Sequence, residues 1–191
     1  AALGVSDACR ARLEQLVVLM QKWNPAINLV ARSTLADAWN RHILDSAQIY
    51  SLGAADARIW ADLGSGGGYP GLVIACIAAD LHPAMQVVLV ESDQRKATYL
   101  RQAAQTLGLK VRVEANRIEQ LPAIGADVVS ARALASLDRL CAFAARHLTP
   151  GGRALFPKGE NHLSEVEHAR KQWSFTLDCT PSVTDANAVI L

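Results

Sequence analysis

Apolar residues recur at helical spacing near the amino end: Leu13, Leu16, Val17, Met20 and Trp23 share one face of a helix expected over 7–23. Ser6 suits its cap, and Asn24-Pro25 marks the expected stop, because proline lacks an amide hydrogen and crowds the preceding turn. A second helix, capped by Ser33 or Thr34, is expected to align Leu35, Ala38, Trp39, His42, Ile43, Ser46 and Tyr50 in one stripe. Beyond Arg58 the pattern changes to short apolar runs, read as strands over 58–63, 86–91, 110–115, 126–131 and 152–156. Helical patterns begin at Pro70 and cover 93–107, 137–148 and 161–172 between those runs. Such alternation predicts an α/β fold: a mostly parallel sheet with helices on both faces. Runs at 176–179 and 188–191 are read as late strands closing that sheet. The expected organisation is a helical layer over 1–55 packed on a Rossmann-like unit over 56–191.

Composition narrows the class. With 191 residues, 51% hydrophobic and 19% charged, the chain is expected to fold as one unit with an appendage and not as a disordered tail. No apolar stretch nears the roughly twenty residues that span a bilayer, and no basic-then-apolar leader is visible. A cytoplasmic protein is expected, and without a large exposed apolar pattern, a monomer. Cys9, Cys76, Cys141 and Cys179 lack paired spacing, which points away from a metal centre or a disulfide frame. The formal charge is only +1, but Arg95, Lys96, Arg101, Lys110, Arg112 and Arg117 face only Asp93 and Glu114 between positions 92 and 117. That local excess could meet phosphate or be a solvated helix face.

The richest stretch runs from Ile59 to Gly71, where an apolar run ends in Asp62 and five glycines follow within eight positions. Strand, glycine turn and helix start make a cofactor cradle. Gly66, Gly68 and Gly71 fit the frame of dinucleotide sites, so a nicotinamide-dependent oxidoreductase is one reading. Asp62 argues otherwise: beside pyrophosphate a carboxylate repels, whereas beside the ammonium and sulfonium of S-adenosylmethionine it attracts. Glu91, ending the next strand, is placed to accept the hydroxyls of a ribose in either case. Asp62, Glu91, Arg117, Glu119, Arg132 and Lys158 all fall at carboxyl ends of strands or just beyond, which favours one shared site.

Asn28-Leu29, the run from Arg41 through His42, Ile43, Leu44 and Asp45 to Ser46, the run Asp62 to Gly71, Asn116-Arg117-Ile118-Glu119, Ala131-Arg132-Ala133 and Lys158-Gly159 occur in that order. Together they resemble the bacterial 16S ribosomal RNA guanine-N7 methyltransferases, the glucose-inhibited division protein B family, from about Leu13 to at least Glu167. The sequence departs from the family at Gly67, where alanine or proline is usual, at Tyr69, and at Pro157 ahead of Lys158, and residues 1–191 include no short basic tail of the kind many members carry. The resemblance implies a class I S-adenosylmethionine-dependent methyltransferase fold with an N-terminal helical extension. It implies that Gly64, Ser65, Gly66, Gly68 and Tyr69 line the methionine and ribose, with Ile118 and Glu119 flanking the adenine, and that Arg132 neutralises a carboxylate or approaches the substrate. The partner it implies is 16S ribosomal RNA or the small ribosomal subunit, modified in the 530 loop near the decoding site.

The residues are compatible with that chemistry. Positions 127–132 hold neither the cysteine of cytosine-C5 enzymes nor the Asn/Asp-Pro-Pro-aromatic turn of amine methylation. Guanine N7 has an in-plane lone pair and no proton to lose, so no general base is required. His42, Asp45, Ser46, Arg117, Arg132 and Lys158 are the candidates for holding the base edge. His42 reads equally as a hydrogen-bonded core residue, and Asp45 as the i,i+4 partner of Arg41. A non-catalytic ribosome-binding module is the remaining alternative.

Overall fold

The computed structural model describes residues 4–191, so the first three residues of the expected helical layer lie outside it. Helix α1 (Asp7–Ile27) starts where expected, with Ser6 Oγ accepting the Cys9 amide, but it runs through Pro25. The helix ends within a turn of that proline, where Asn28 takes a left-handed conformation and donates to the Asn24 carbonyl at 2.9 Å. The second helix is not regular. A 3-10 turn (Arg32–Asp37) leads into a π-helical turn (Trp39–Leu44) and then α2 (Asp45–Ser51). The wider turn removes Trp39 from the expected stripe and leaves it partly exposed, while His42, Ile43, Ser46, Ile49 and Tyr50 stay buried.

The expected alternation follows: β1 (Ile59–Leu63), α3 (Gly71–Leu81), β2 (Gln86–Val90), α4 (Gln94–Thr106), β3 (Val111–Glu114), β4 (Ala126–Ser130), α5 (Leu137–His147) and β5 (Leu148–Leu155). All pairings in this sheet are parallel, in the order β3-β2-β1-β4-β5. One apolar cluster joins α1 and α2 to α3 and α4 on one face, and a second packs α5 and α6 (His162–Ala169) on the other. The late strands do not close the sheet. Instead β6 (Pro157–Lys158), β7 (Thr180–Pro181) and β8 (Val189–Ile190) form a small antiparallel sheet ordered β6-β8-β7, and 176–179 is no strand. Pro157 fits there because Phe156 and Leu191 exchange the neighbouring pair of ladder bonds, at 2.9 and 3.1 Å, which leaves Pro157, opposite Ile190, at a position where its missing amide is not needed.

Candidate functional site

The strand order reverses direction of growth between β1 and β4, and ligands of open α/β sheets lie beyond the carboxyl ends at such a point. A cleft of about 770 Å³ opens there. Its walls come from the 29–34 segment, the π-helical turn, the glycine loop, Glu91, the loop after β4 and the β6–β8 region.

The glycine loop is held from two sides. Glu91 Oε2 accepts the Gly66 amide and Oε1 the Asp93 amide, each at 2.8 Å, so the carboxylate is aimed at the loop while still lining the cleft. Gly64 has φ +69, a backbone conformation that other residues rarely adopt, and a β-carbon there would displace Leu134 Cδ1, 2.5 Å away, so glycine keeps the floor of the cleft bare.

Asp62 does not line the cleft, contrary to expectation. Its side chain points beneath the loop, where Oδ2 accepts the Gly71 amide at 3.1 Å and Oδ1 accepts from Ser130 Oγ at 2.8 Å. Ser130 in turn accepts from Trp60 Nε1 at 3.0 Å. Burial pushes the Asp62 carboxyl up to about 6, against the pull of these donors. Asp62 braces the loop, and its charge cannot select the ligand by direct contact.

Opposite Glu91 lies a second cluster. Arg132, just after β4, donates through Nη1 to Asp45 Oδ2 at 2.9 Å and to the Arg41 carbonyl at 3.1 Å, and lies over the Tyr69 ring. Its Nη2 meets His42 Nδ1 at 3.2 Å. A guanidinium only donates, so Nδ1 accepts and the proton sits on Nε2, which donates to Thr34 Oγ1 at 2.8 Å; that hydroxyl donates to the Ala31 carbonyl. His42 stacks on Tyr69 with ring centroids 4.8 Å apart. Burial first, then the Arg132 charge, lowers its pKa to about 4, so the ring is neutral. Ala133, at φ +51, turns the chain sharply after Arg132.

Asp45 pairs with Arg132 and not with Arg41, whose guanidinium lies 3.7 Å from Asp185. The π-helical turn sets this: the Asp45 amide reaches back to Asn40, which rotates Asp45 toward the cleft and buries the next residue, Ser46, away from it. Lys158 lines the cleft, with its ammonium on Glu165 Oε2 at 2.7 Å and the Ala135 carbonyl at 2.9 Å. Arg117, Ser65, Gly68, Ile118 and Glu119 are not among the lining residues. Ile118 is buried in the second apolar cluster, and exposed Glu119 pairs with Arg139 at 2.6 Å. Of the basic run, Lys96 reaches the cleft, whereas Arg112 pairs with Glu114 and Arg101 with the Val113 carbonyl. Thr34, Gln48, Ser130, Glu165 and Thr184 were not expected as site residues. Only Ser130 carries a signal, a hydroxyl at the end of the apolar run Val128-Val129.

The residues 10–188 match the family model described as rRNA small subunit methyltransferase G. A ribosomal RNA small subunit methyltransferase G of Cereibacter sphaeroides is 57% identical over 190 residues, covering 100% of this chain and 91% of that protein. One from Ruegeria pomeroyi is 48% identical, covering 99% and 92%. Among solved structures, a Geobacter sulfurreducens methyltransferase aligns with TM-score 0.60 at 16% identity, covering 97% of this chain and 95% of that one. A T. thermophilus 16S rRNA N2 methyltransferase in complex with AdoMet and guanosine aligns with TM-score 0.54 at 15% identity, covering 76% and 37%. The structural likenesses concern the fold.

Proposed function

The chain belongs to the rRNA small subunit methyltransferase G family, and on that footing we propose that it transfers a methyl group from S-adenosyl-L-methionine to N7 of a guanosine in 16S ribosomal RNA, in the 530 loop. The observation that carries this reading is a single cleft with an acceptor wall and a donor wall. Glu91, bonded to the glycine loop, forms the first, and Arg132, held by Asp45 and His42, the second.

The bare floor at Gly64 and the carboxylate of Glu91 suit a nucleoside with cationic character. Each Glu91 oxygen already takes one amide and keeps a second lone pair for a ribose hydroxyl. Gly64, Gly66 and Tyr69 would hold the rest of the cofactor, which supplies an electrophilic methyl group. On the donor wall Arg132 presents N–H groups to O6 of guanine, beside N7, whose lone pair stays free for the methyl carbon, and neutral His42 holds the guanidinium in place without competing for charge. No group is asked to remove a proton, because N7 has none. Alignment of nucleophile and methyl carbon then removes several kcal/mol of the barrier. N7 faces the deep groove of A-form RNA, so the target is an unpaired guanine.

In the same reading, the helical layer over 1–55 packs on the Rossmann-like unit over 56–191, both contribute substrate-side groups, and the protein acts as a cytoplasmic monomer. No helix of the described residues is long and apolar enough to cross a membrane. The test is transfer of labelled methyl from S-adenosylmethionine into small-subunit RNA, with the modified base mapped by mass. We expect one modified guanine, with transfer abolished in Glu91→Ala protein. Thermal stabilisation by NAD and not by S-adenosylhomocysteine would overturn the reading.

A further inference from the structure

The loop between β7 and β8 forms an outer wall of the cleft through Thr184, Asp185 and Ala188. Gln48 and Thr184 fasten it to the π-helical region, beside the Arg41–Asp185 pair. Gln48 Nε2 donates to Asp45 Oδ1 at 2.9 Å and to Ser182 Oγ at 3.1 Å, and Gln48 Oε1 accepts the Val183 amide at 2.9 Å. Thr184 Oγ1 donates to the same Asp45 oxygen at 2.8 Å. Asp45 Oδ1 is therefore fixed by two donors from chain segments more than a hundred residues apart, which leaves Oδ2 for Arg132.

A carboxylate held at one oxygen cannot swing, and the guanidinium bonded to the other cannot swing either. Among the described residues, Nε of Arg132 has no protein acceptor, and Nη2 meets only His42. Those remaining N–H groups are the donors available to a base edge in the cleft. We infer that Gln48 and Thr184 are positioning residues, which act through Asp45 to hold Arg132 in register with the oxygen beside the accepting nitrogen of guanine. The inference rests on the reading of the cleft given under Proposed function.

Two variants test it, Gln48→Leu and Thr184→Val, each of which removes hydrogen bonds while nearly keeping side-chain volume. The first readout is the guanidinium nitrogen spectrum of arginine-labelled protein, with the Arg132 signals assigned by their loss in Arg132→Lys. Wild-type protein should show separate Nη signals, from hindered rotation, that merge in both variants. Separate signals in both variants would overturn the inference. The second readout is methyl transfer. The kcat/KM for RNA should fall by about ten- to a hundredfold, mostly in kcat, while S-adenosylhomocysteine affinity stays within about twofold. In an Asp45→Asn background Gln48→Leu should cost nothing further, because its effect passes through Asp45. An equal loss in both backgrounds would overturn it. If wild-type protein transfers no methyl to RNA, the methyltransfer reading falls, while the spectra still decide whether Arg132 is held.

Discussion

Ser130 is a small side chain with two obligations, accepting from the Trp60 indole and donating to Asp62. All three groups are buried. Removing its hydroxyl leaves an indole N–H and a carboxylate oxygen without partners, each costing about 1–3 kcal/mol. Ser130→Ala is therefore expected to lower stability by roughly 2–4 kcal/mol, read as a shift in urea midpoint at unchanged slope. A loss under about 1 kcal/mol would show that the neighbours find other partners. The same chain of bonds explains why the direction of Asp62 is illegible in the sequence. In a strand buried on both faces, alternation does not mark which side meets ligand, and an acid before a glycine loop serves as brace or contact with the same letters. Glu91 was legible because it ends its strand, where only the ligand edge is open.

At the scale of elements, the junction of β1 and α3 depends on an approach that only glycine allows. A β-carbon on Gly71 would come within 2.4 Å of Leu89 Cδ2 and 2.6 Å of Asp62 Oδ2. Gly71→Ala is expected to cost about 1–3 kcal/mol by overpacking. It should also weaken S-adenosylhomocysteine binding, measured by calorimetry, because the helix start and the loop move together. Unchanged affinity would separate loop geometry from binding. The strand-glycine-helix order was readable because the hydrophobic period changes where the backbone does. The π-helical turn was not, since Trp39 through Leu44 are ordinary helix residues and the extra residue per turn reflects packing against Tyr69 and Arg132. Two-residue ladders such as β7 and β8 have no period to read.

Across the whole molecule, two buried groups tilt the pH dependence in opposite directions. His42 titrates near 4 when folded and near 6.5 when unfolded, so its contribution is complete above 6.5 and is lost as pH falls toward 4. Burial lowers His147 in the same direction. Asp62 titrates near 6 when folded and near 3.8 when unfolded, so its contribution is complete below 3.8 and is lost as pH rises through 6. Between pH 4 and 6 the slopes offset. Asp62→Asn should therefore steepen acid destabilisation in that window by up to about 1.4 kcal/mol per pH unit, measured from urea titrations at several pH values. A variant curve parallel to the wild type would show that Asp62 does not supply the counter-slope. The small β6-β8-β7 sheet has a consequence in time as well as in space. Val189 and Ile190 are paired with Pro157 and Lys158 and fold the 182–185 loop back onto Asp45. Every other wall of the cleft precedes this strand in the sequence, so as the chain is made the cleft gains its outer wall last, when β8 pairs with β6 and β7.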